Sequence, residues 1–471
     1  MISVDVCVIG AGSGGLTVAA GASQMGATVA LIERGEMGGD CLNYGCVPSK
    51  ALLAAARAAE AMRRADRLGV ERHDPRIDFA RVMAHVRGTI AAVAPHDSQE
   101  RFEGLGVRVI RAQARFTGRD TVEAGGETIR AKRFVIATGS SPLVPPIPGL
   151  DKVPYLTNET VFENTVRPAH LLVVGGGPIG LEMAQAHRRL GALVTVVEKF
   201  TILPKDDPEL VDVVRARLLG EGVALMEGAE VKRVDATPSG VAVVVARDGG
   251  EVTLAGSHLL MAVGRRANLA DLDLMAAGVA HGPQGIATDS RLRTGNRRIF
   301  AVGDVTGRFQ FTHMAGYHAG IVLRNILFRL PAKVDDGAVP WVTYTEPELA
   351  QVGLSEAEAR KRHGKVTVLR WPFHENDRAQ AERDTEGMVK AVMDRSGRIL
   401  GAAIAGPHAG ELIQPWCLAL AQGMKIGAMA SVILPYPTFG EASKRLAASW
   451  YTPKLFTERT RKIVRFLMRF A

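Results

Sequence analysis

Val8-Ile9-Gly10-Ala11-Gly12-Ser13-Gly14-Gly15-Leu16 runs out of a strand-like segment, Ile2–Ile9, into an Ala-rich helical stretch. The series returns 165 residues later as Val173-Val174-Gly175-Gly176-Gly177-Pro178-Ile179-Gly180-Leu181. Both copies then pass a Gly-Ala pair (Gly26-Ala27, Gly191-Ala192) into a second strand that ends in an acid, Glu33 or Glu198. In each copy 23 residues separate the first glycine from the acid. The physical reading is the same twice. Gly10 and Gly175 make a tight turn, Gly12 and Gly177 let the backbone reach a pyrophosphate, and Gly15 and Gly180 let helix pack on strand. Phosphates are held at the helix N-terminus, and the acid accepts ribose hydroxyls. Two Rossmann-like dinucleotide folds in one α/β chain are predicted.

The second site is expected to prefer NADH, because Glu198 repels a 2′-phosphate and no Arg follows it directly. Lys199, an adjacent cation, argues for some tolerance of NADPH.

A second motif follows the first fold: Gly38-Gly39-Asp40-Cys41-Leu42-Asn43-Tyr44-Gly45-Cys46-Val47-Pro48-Ser49-Lys50, leading into an Ala/Leu/Arg helical stretch. The C-x4-C spacing differs from zinc-knuckle spacing, and no second Cys or His pair lies nearby, so no metal is expected. Two thiols at or near helix starts, with Lys50 close, have their ionisation favoured. A redox-active disulphide beside a dinucleotide is therefore expected. Cys7, in the first strand, and Cys417, in an apolar helical stretch, read as core residues.

Bulk properties fit an enzyme of several domains. A chain of 471 residues exceeds one core, so about two to four domains are expected. Hydrophobic residues are 47% and charged residues 23%, an ordinary globular balance. No apolar run reaches the ~20 residues of a spanning helix. No signal-peptide series precedes the first strand, and four cysteines are too few for a disulphide scaffold, so a cytoplasmic location is expected. The formal charge is +9, but an aromatic content of 5% and the absence of a recognised module argue against nucleic acid. Part of the excess sits in the final 18 residues, where six Lys/Arg face only Glu458. That tail reads as a solvated helix, or as one making weak peripheral contact with a membrane.

The chain resembles the pyridine nucleotide–disulphide oxidoreductase family, which includes dihydrolipoamide dehydrogenase, glutathione reductase and mercuric reductase. The resemblance rests on both fingerprints, the Gly39–Lys50 block, Ala137-Thr138-Gly139-Ser140, Val263-Gly264-Arg265 and Ala301-Val302-Gly303-Asp304. Further markers are Thr312-His313-Met314-Ala315, Tyr344-Thr345-Glu346-Pro347-Glu348 and Tyr436-Pro437-Thr438-Phe439-Gly440-Glu441. It implies an FAD domain at 1–145 and 269–337 and an NAD(P) domain at 146–268. An α+β dimerisation domain at 338–452 and a basic tail at 453–471 would complete the chain.

The resemblance also implies the chemistry. FAD would be held by Gly10, Gly12, Gly15, Glu33, Gly39, Lys50, Ala114, Thr138, Gly139, Asp304, His313 and Ala315. NAD(P)H would be held by Gly175, Gly177, Gly180, Glu198 and Gly264. Electrons would pass from NAD(P)H through FAD to Cys46, nearer the flavin, and then to Cys41, the interchange thiol. Lys50 would pair with Glu182. A homodimer acting on a small-molecule acceptor of disulphide type is the implied function.

Two departures bear on the acceptor. Tyr436 stands where the family's disulphide reductases place a catalytic His that serves the interchange thiol of the other subunit, while Pro437, Thr438 and Glu441 remain. A phenol titrates near 10 rather than near 6.5, which makes Tyr436 a poor base at pH 7. Tyrosine there is a mercuric-reductase-like trait, so an NAD(P)H-dependent reductase of metal ions or quinones is the alternative. Against true mercuric reductase, the last cysteine is Cys417 and no vicinal pair follows it.

Overall fold

The computed structural model describes residues 1–470. The chain divides into two compact units, one formed by residues 1–59, 76–199 and 228–335, the other by 60–75, 200–227 and 336 onward.

In the first unit, parallel strands lie in the order Val107–Arg111, Ile2–Ile9's neighbour Val29–Glu33, Ile2–Ile9 itself, and Glu127–Ile136. The C-terminal half of Glu127–Ile136 also pairs, in parallel, with Ile299–Ala301. The chain thus leaves this sheet after Ile136 and returns to it only at Ile299. Alternation along the first strand sends Val6 and Val8 into one core and Cys7 and Ile9 into another. Burial on both faces is why the strand reads as a continuous apolar run.

Between those points lies the second copy of the fold, whose parallel strands Leu193–Val197, His170–Val174 and His258–Met261 adjoin in that order. A three-stranded antiparallel sheet, Glu230–Thr237, Gly240–Arg247 and Gly250–Gly256, belongs to the same half. The exit and return segments Ser140–Pro142 and Arg265–Ala267 pair with each other.

The second unit is built on a five-stranded antiparallel sheet. Its core contains Trp416, Phe373, Ile404 and Leu446. Lys390 is 4% exposed there. It meets Asp207, Glu209 and Glu356 at 2.7, 3.0 and 3.0 Å, so its buried charge is fully matched. Among the described residues no helix is long and apolar enough to cross a membrane.

Candidate active site

The two fingerprints fold into near-identical geometries. Gly10 and Gly175 have φ of +106° and +112°, and a Cβ on either would fall 2.4 or 2.3 Å from the carbonyl oxygen of Ala137 or Ala262. A Cβ on Gly15 or Gly180 would lie 1.9 or 2.0 Å from the carbonyl oxygen of Gly10 or Gly175, so both turns admit only glycine. Gly12 and Gly177 differ. Their φ values of −83° and −77° suit any residue. A Cβ at Gly177 would meet nothing, and one at Gly12 would meet only the Gly39 Cα, at 4.0 Å. Packing does not demand glycine at these two positions, whereas open room at a helix N-terminus does. Both cradles therefore fit a pyrophosphate.

Each acid is fastened to its own cradle. Glu33 accepts the Ala11 N–H at 2.6 Å and the Gly35 N–H at 2.7 Å. Glu198 accepts the Gly176 N–H at 2.7 Å. The cation at Lys199 is engaged by Glu230, 2.7 Å away.

Cys46 begins the helix Cys46–Arg63, and Cys41 is the third residue of the short helix Gly39–Asn43. Both are thiols in this structure. The Cys46 sulphur lies 3.4 Å from the hydroxyl of Thr312, first residue of the helix Thr312–Leu327. A hydrogen bond from Cys41, the Thr312 hydroxyl and the Lys50 charge bring the Cys46 thiol down to about 6, against burial and Asp40. The expectation that both thiols are acidified is corrected here. Cys41 is pushed well up, because it is the donor to Cys46 and is itself partly buried. One thiolate is shared by the pair, and it rests on Cys46.

Lys50 Nζ lies 2.8 Å from Glu182 Oε2 and 3.3 Å from the Ser49 hydroxyl. The Glu182 side chain is 7% exposed and that of Lys50 38%. This pair joins the cysteine helix to the helix Pro178–Arg189, which starts at the second cradle.

A further network was not read from the sequence. Asp304 Oδ2 accepts the Ser140 hydroxyl at 2.6 Å, and Ser140 accepts from Arg265 Nε at 2.8 Å. Arg265 also reaches Asp40, beside Cys41, at 2.9 Å, and Asn158 donates to the same Asp40 oxygen at 3.0 Å. Burial raises the Asp304 carboxyl above the ordinary carboxylate range, against Ser140 and Arg265. Ser140, Arg265 and Thr312 all stood inside motifs noted above, and that adjacency was their signal.

The remaining residues are placed as follows. Gly39 has φ +60°, and a Cβ there would strike the Gly12 Cα at 2.8 Å, which ties the cysteine turn to the first cradle. Ala315 packs on Gly14 and Gly303. His313 stacks on Phe311 with ring centres 5.2 Å apart. The Thr138 hydroxyl donates to the Asn268 carbonyl at 2.7 Å. The Ala114 methyl is buried in the core. Gly139 and Gly264 hold φ of +68° and +136° in open surroundings.

Tyr436 and Glu441 belong to the second unit. The Tyr436 hydroxyl donates to Asp377 at 3.0 Å. That carboxylate, joined by Glu441, pushes the phenol further above 10. Among the described residues no cluster of His, Cys, Asp or Glu forms a metal site.

A paired-cysteine turn between two dinucleotide cradles defines a flavin- and nicotinamide-dependent thiol–disulphide oxidoreductase. Residues 4–319 match the pyridine nucleotide–disulphide oxidoreductase family, and residues 339–447 match its dimerisation domain. The chain belongs to that family: it is an FAD-dependent oxidoreductase that uses NAD(P)H and carries the family's homodimer-forming domain. It is 35% identical to mercuric reductase of Bacillus cereus, over 93% of this chain and 70% of that one. It is 32% identical to dihydrolipoyl dehydrogenase of Geobacillus stearothermophilus, over 95% of this chain and 96% of the other. The solved structure of the Cu(II) complex of RclA, an HOCl-induced flavoprotein disulphide reductase from Escherichia coli, superposes with a TM-score of 0.85 at 28% identity. That match covers 94% of this chain and 99% of RclA.

Proposed function

We propose that the enzyme takes electrons from NADH in preference to NADPH and delivers them through Cys46 and Cys41 to a disulphide-type acceptor. The observation that carries this reading is the turn that pairs Cys41 with Cys46 beside both cradles, with the Cys46 sulphur at a helix start and 3.4 Å from the Thr312 hydroxyl. Bound FAD supplies the hydride acceptor that links a two-electron donor to a thiol pair. Gly10, Gly12, Gly15, Glu33 and Gly39 would hold it from one side. Lys50, Ala114, Thr138, Gly139, Asp304, His313 and Ala315 would complete its site. NADH would lie on Gly175, Gly177, Gly180, Glu198 and Gly264, with Lys199 withdrawn toward Glu230.

The protein's own part is thiol exchange. The reduced pair has its shared proton on Cys41, hydrogen-bonded to the Cys46 sulphur. Transfer of that proton to Cys46 frees the Cys41 sulphur to attack one sulphur of the acceptor and release the first thiol. Cys46 then attacks Cys41, re-forming the Cys41–Cys46 disulphide and releasing the second thiol. The balance is NADH, one proton and one disulphide giving NAD⁺ and two thiols. Lys50, oriented by Glu182, stabilises the Cys46 thiolate. Tyr436 and Glu441 would stand on the acceptor side as hydrogen-bonding groups.

A second reading is reduction of metal ions or quinones. Tyr436 favours it, since a phenol tied to Asp377 offers no base for thiol exchange. The similarity to mercuric reductases supports it as well. The division into FAD (1–145 and 269–337), NAD(P) (146–268) and dimerisation (338–452) domains, a cytoplasmic setting, and weak membrane contact through the tail belong to the same proposal.

The test is an anaerobic titration of the holoenzyme with NADH and NADPH, followed by assays with lipoamide, glutathione disulphide, Hg(II) and quinones. A long-wavelength absorbance band that Cys46→Ser abolishes is expected. Its survival in Cys46→Ser would overturn the thiol assignment, and turnover of Hg(II) or quinone alone would select the second reading.

A further inference from the structure

The family's dimerisation domain ends at residue 447, and the chain continues. Glu458–Leu467 forms a helix with Thr457 as its N-cap and no buried residue. Ile463, Phe466, Leu467 and Phe470 recur at the i, i+3, i+4, i+7 spacing that places them along one face. All four are exposed, Phe466 at 58% and Phe470 at 75%, with their rings 5.1 Å apart. Phe456, just before the N-cap, is 72% exposed.

The opposite face is cationic. Lys462, Arg465 and Arg469 follow the same helical spacing, with Arg461 beside them, while Arg459 lies one turn before Ile463 on the apolar side. Arg461 pairs with Glu458 at 2.8 Å, and Lys454 sits over the Trp450 ring at 4.0 Å. Among the described residues Arg459, Lys462, Arg465 and Arg469 have no carboxylate partner.

We infer that this helix lies in the surface plane of an anionic lipid bilayer, with Phe456, Ile463, Phe466, Leu467 and Phe470 among the acyl chains and the arginines and lysines on the phosphates. This makes specific the proposal above that the basic tail contacts a membrane. An exposed aromatic face in water is a liability that a bilayer interface removes, and the cations choose lipids of negative charge. A second copy of the chain would cover the apolar face, but it would bring the same excess of positive charge. The bilayer satisfies both faces at once.

The experiment is co-sedimentation of full-length holoenzyme with vesicles of phosphatidylcholine alone, or of phosphatidylcholine mixed with phosphatidylglycerol. Binding to the mixed vesicles alone is expected, weakening about fivefold for each cation removed. It should fail at ~1 M salt, where the screening length falls to about 3 Å. Lys462→Glu/Arg465→Glu and Phe466→Ser/Phe470→Ser should each abolish it. A chain ending at Tyr451 should not bind, yet should keep full NADH-dependent activity, which separates this inference from the electron-transfer reading. Equal sedimentation of the shortened chain would overturn the inference. So would tail variants that shift the oligomeric state without changing vesicle binding, or tighter binding to duplex DNA than to the mixed vesicles.

Discussion

The sulphur of Cys46 and the hydroxyl of Thr312 lie 3.4 Å apart across 266 residues of sequence. Cys46 opens one helix and Thr312 opens another, so the sulphur sits where two helix N-termini converge. Positive ends of two helix dipoles, with Lys50 nearby, form a site for a thiolate rather than a thiol.

The first prediction follows from that thiolate. In NADH-reduced enzyme held anaerobically, alkylation of Cys46 should rise with pH around a midpoint near 6, well below the ordinary thiol range. Cys41, raised by its hydrogen bond to Cys46 and by partial burial, should react more slowly across the same window, through the minor form in which its proton has passed to Cys46. Thr312→Val and Lys50→Ala should each move the Cys46 midpoint upward, since both groups favour the charged form. Peptide mapping by mass spectrometry reads both rates. Faster labelling of Cys41 than Cys46 at neutral pH would reverse the assignment.

A second prediction concerns the unequal exposure of Lys50 and Glu182. Lys50→Met leaves a carboxylate that is 7% exposed without its cation, whereas Glu182→Gln leaves a cation with access to water. Removing the lysine should therefore cost about 1–2 kcal/mol of folding stability, and removing the acid about half that or less. Guanidinium unfolding of the two variants decides it. Equal losses would mean that the difference in exposure between the two partners does not decide the cost of breaking the pair.

Both dinucleotide folds were legible before any coordinates, because each part of the fingerprint answers a local demand. Gly15 is fixed by the Gly10 carbonyl and Gly10 by its own positive φ, and the acid lies one helix and one strand further on. The cysteine turn was legible for the same reason. The electrostatics around it were not. Asp304 meets Ser140 across 164 residues, and Arg265 reaches Asp40 only once the second fold has been inserted and the chain has returned. Such pairs depend on how the chain closes on itself, and a single sequence carries no local trace of that. The raised Cys41 was missed similarly: proximity to a helix start suggested acidification, but one proton shared by two thiols must favour one of them.

The third prediction is nicotinamide choice. Glu198 repels a 2′-phosphate, and Glu230 holds the Lys199 cation that would otherwise welcome one. Glu230→Gln should raise the NADPH/NADH ratio of kcat/KM by a few-fold, and Glu198→Ala together with it by about tenfold or more. Steady-state kinetics with both donors reads this. An unchanged ratio in the double variant would place the 2′-position away from these side chains.

The fourth prediction turns on Tyr436. Asp377 accepts its hydroxyl and lifts the phenol further above 10, so at pH 7 it can donate a hydrogen bond but cannot take a proton. Tyr436→Phe should therefore leave kcat for glutathione disulphide or lipoamide within about threefold of the parent, with the same pH profile. Tyr436→His should do the opposite and supply an imidazole that titrates near 6.5. Disulphide turnover should then rise by about tenfold or more above that value and fall away below it, as the ring becomes protonated and loses its capacity as a base. Because Tyr436 is 68% exposed, the exchange should cost little stability, and thermal melts of parent and variant should coincide. If Tyr436→Phe instead abolishes disulphide turnover, the hydroxyl takes part directly in the exchange. If Tyr436→His brings no gain, the limiting step lies upstream of Cys41, and metal ions or quinones become the acceptors to pursue.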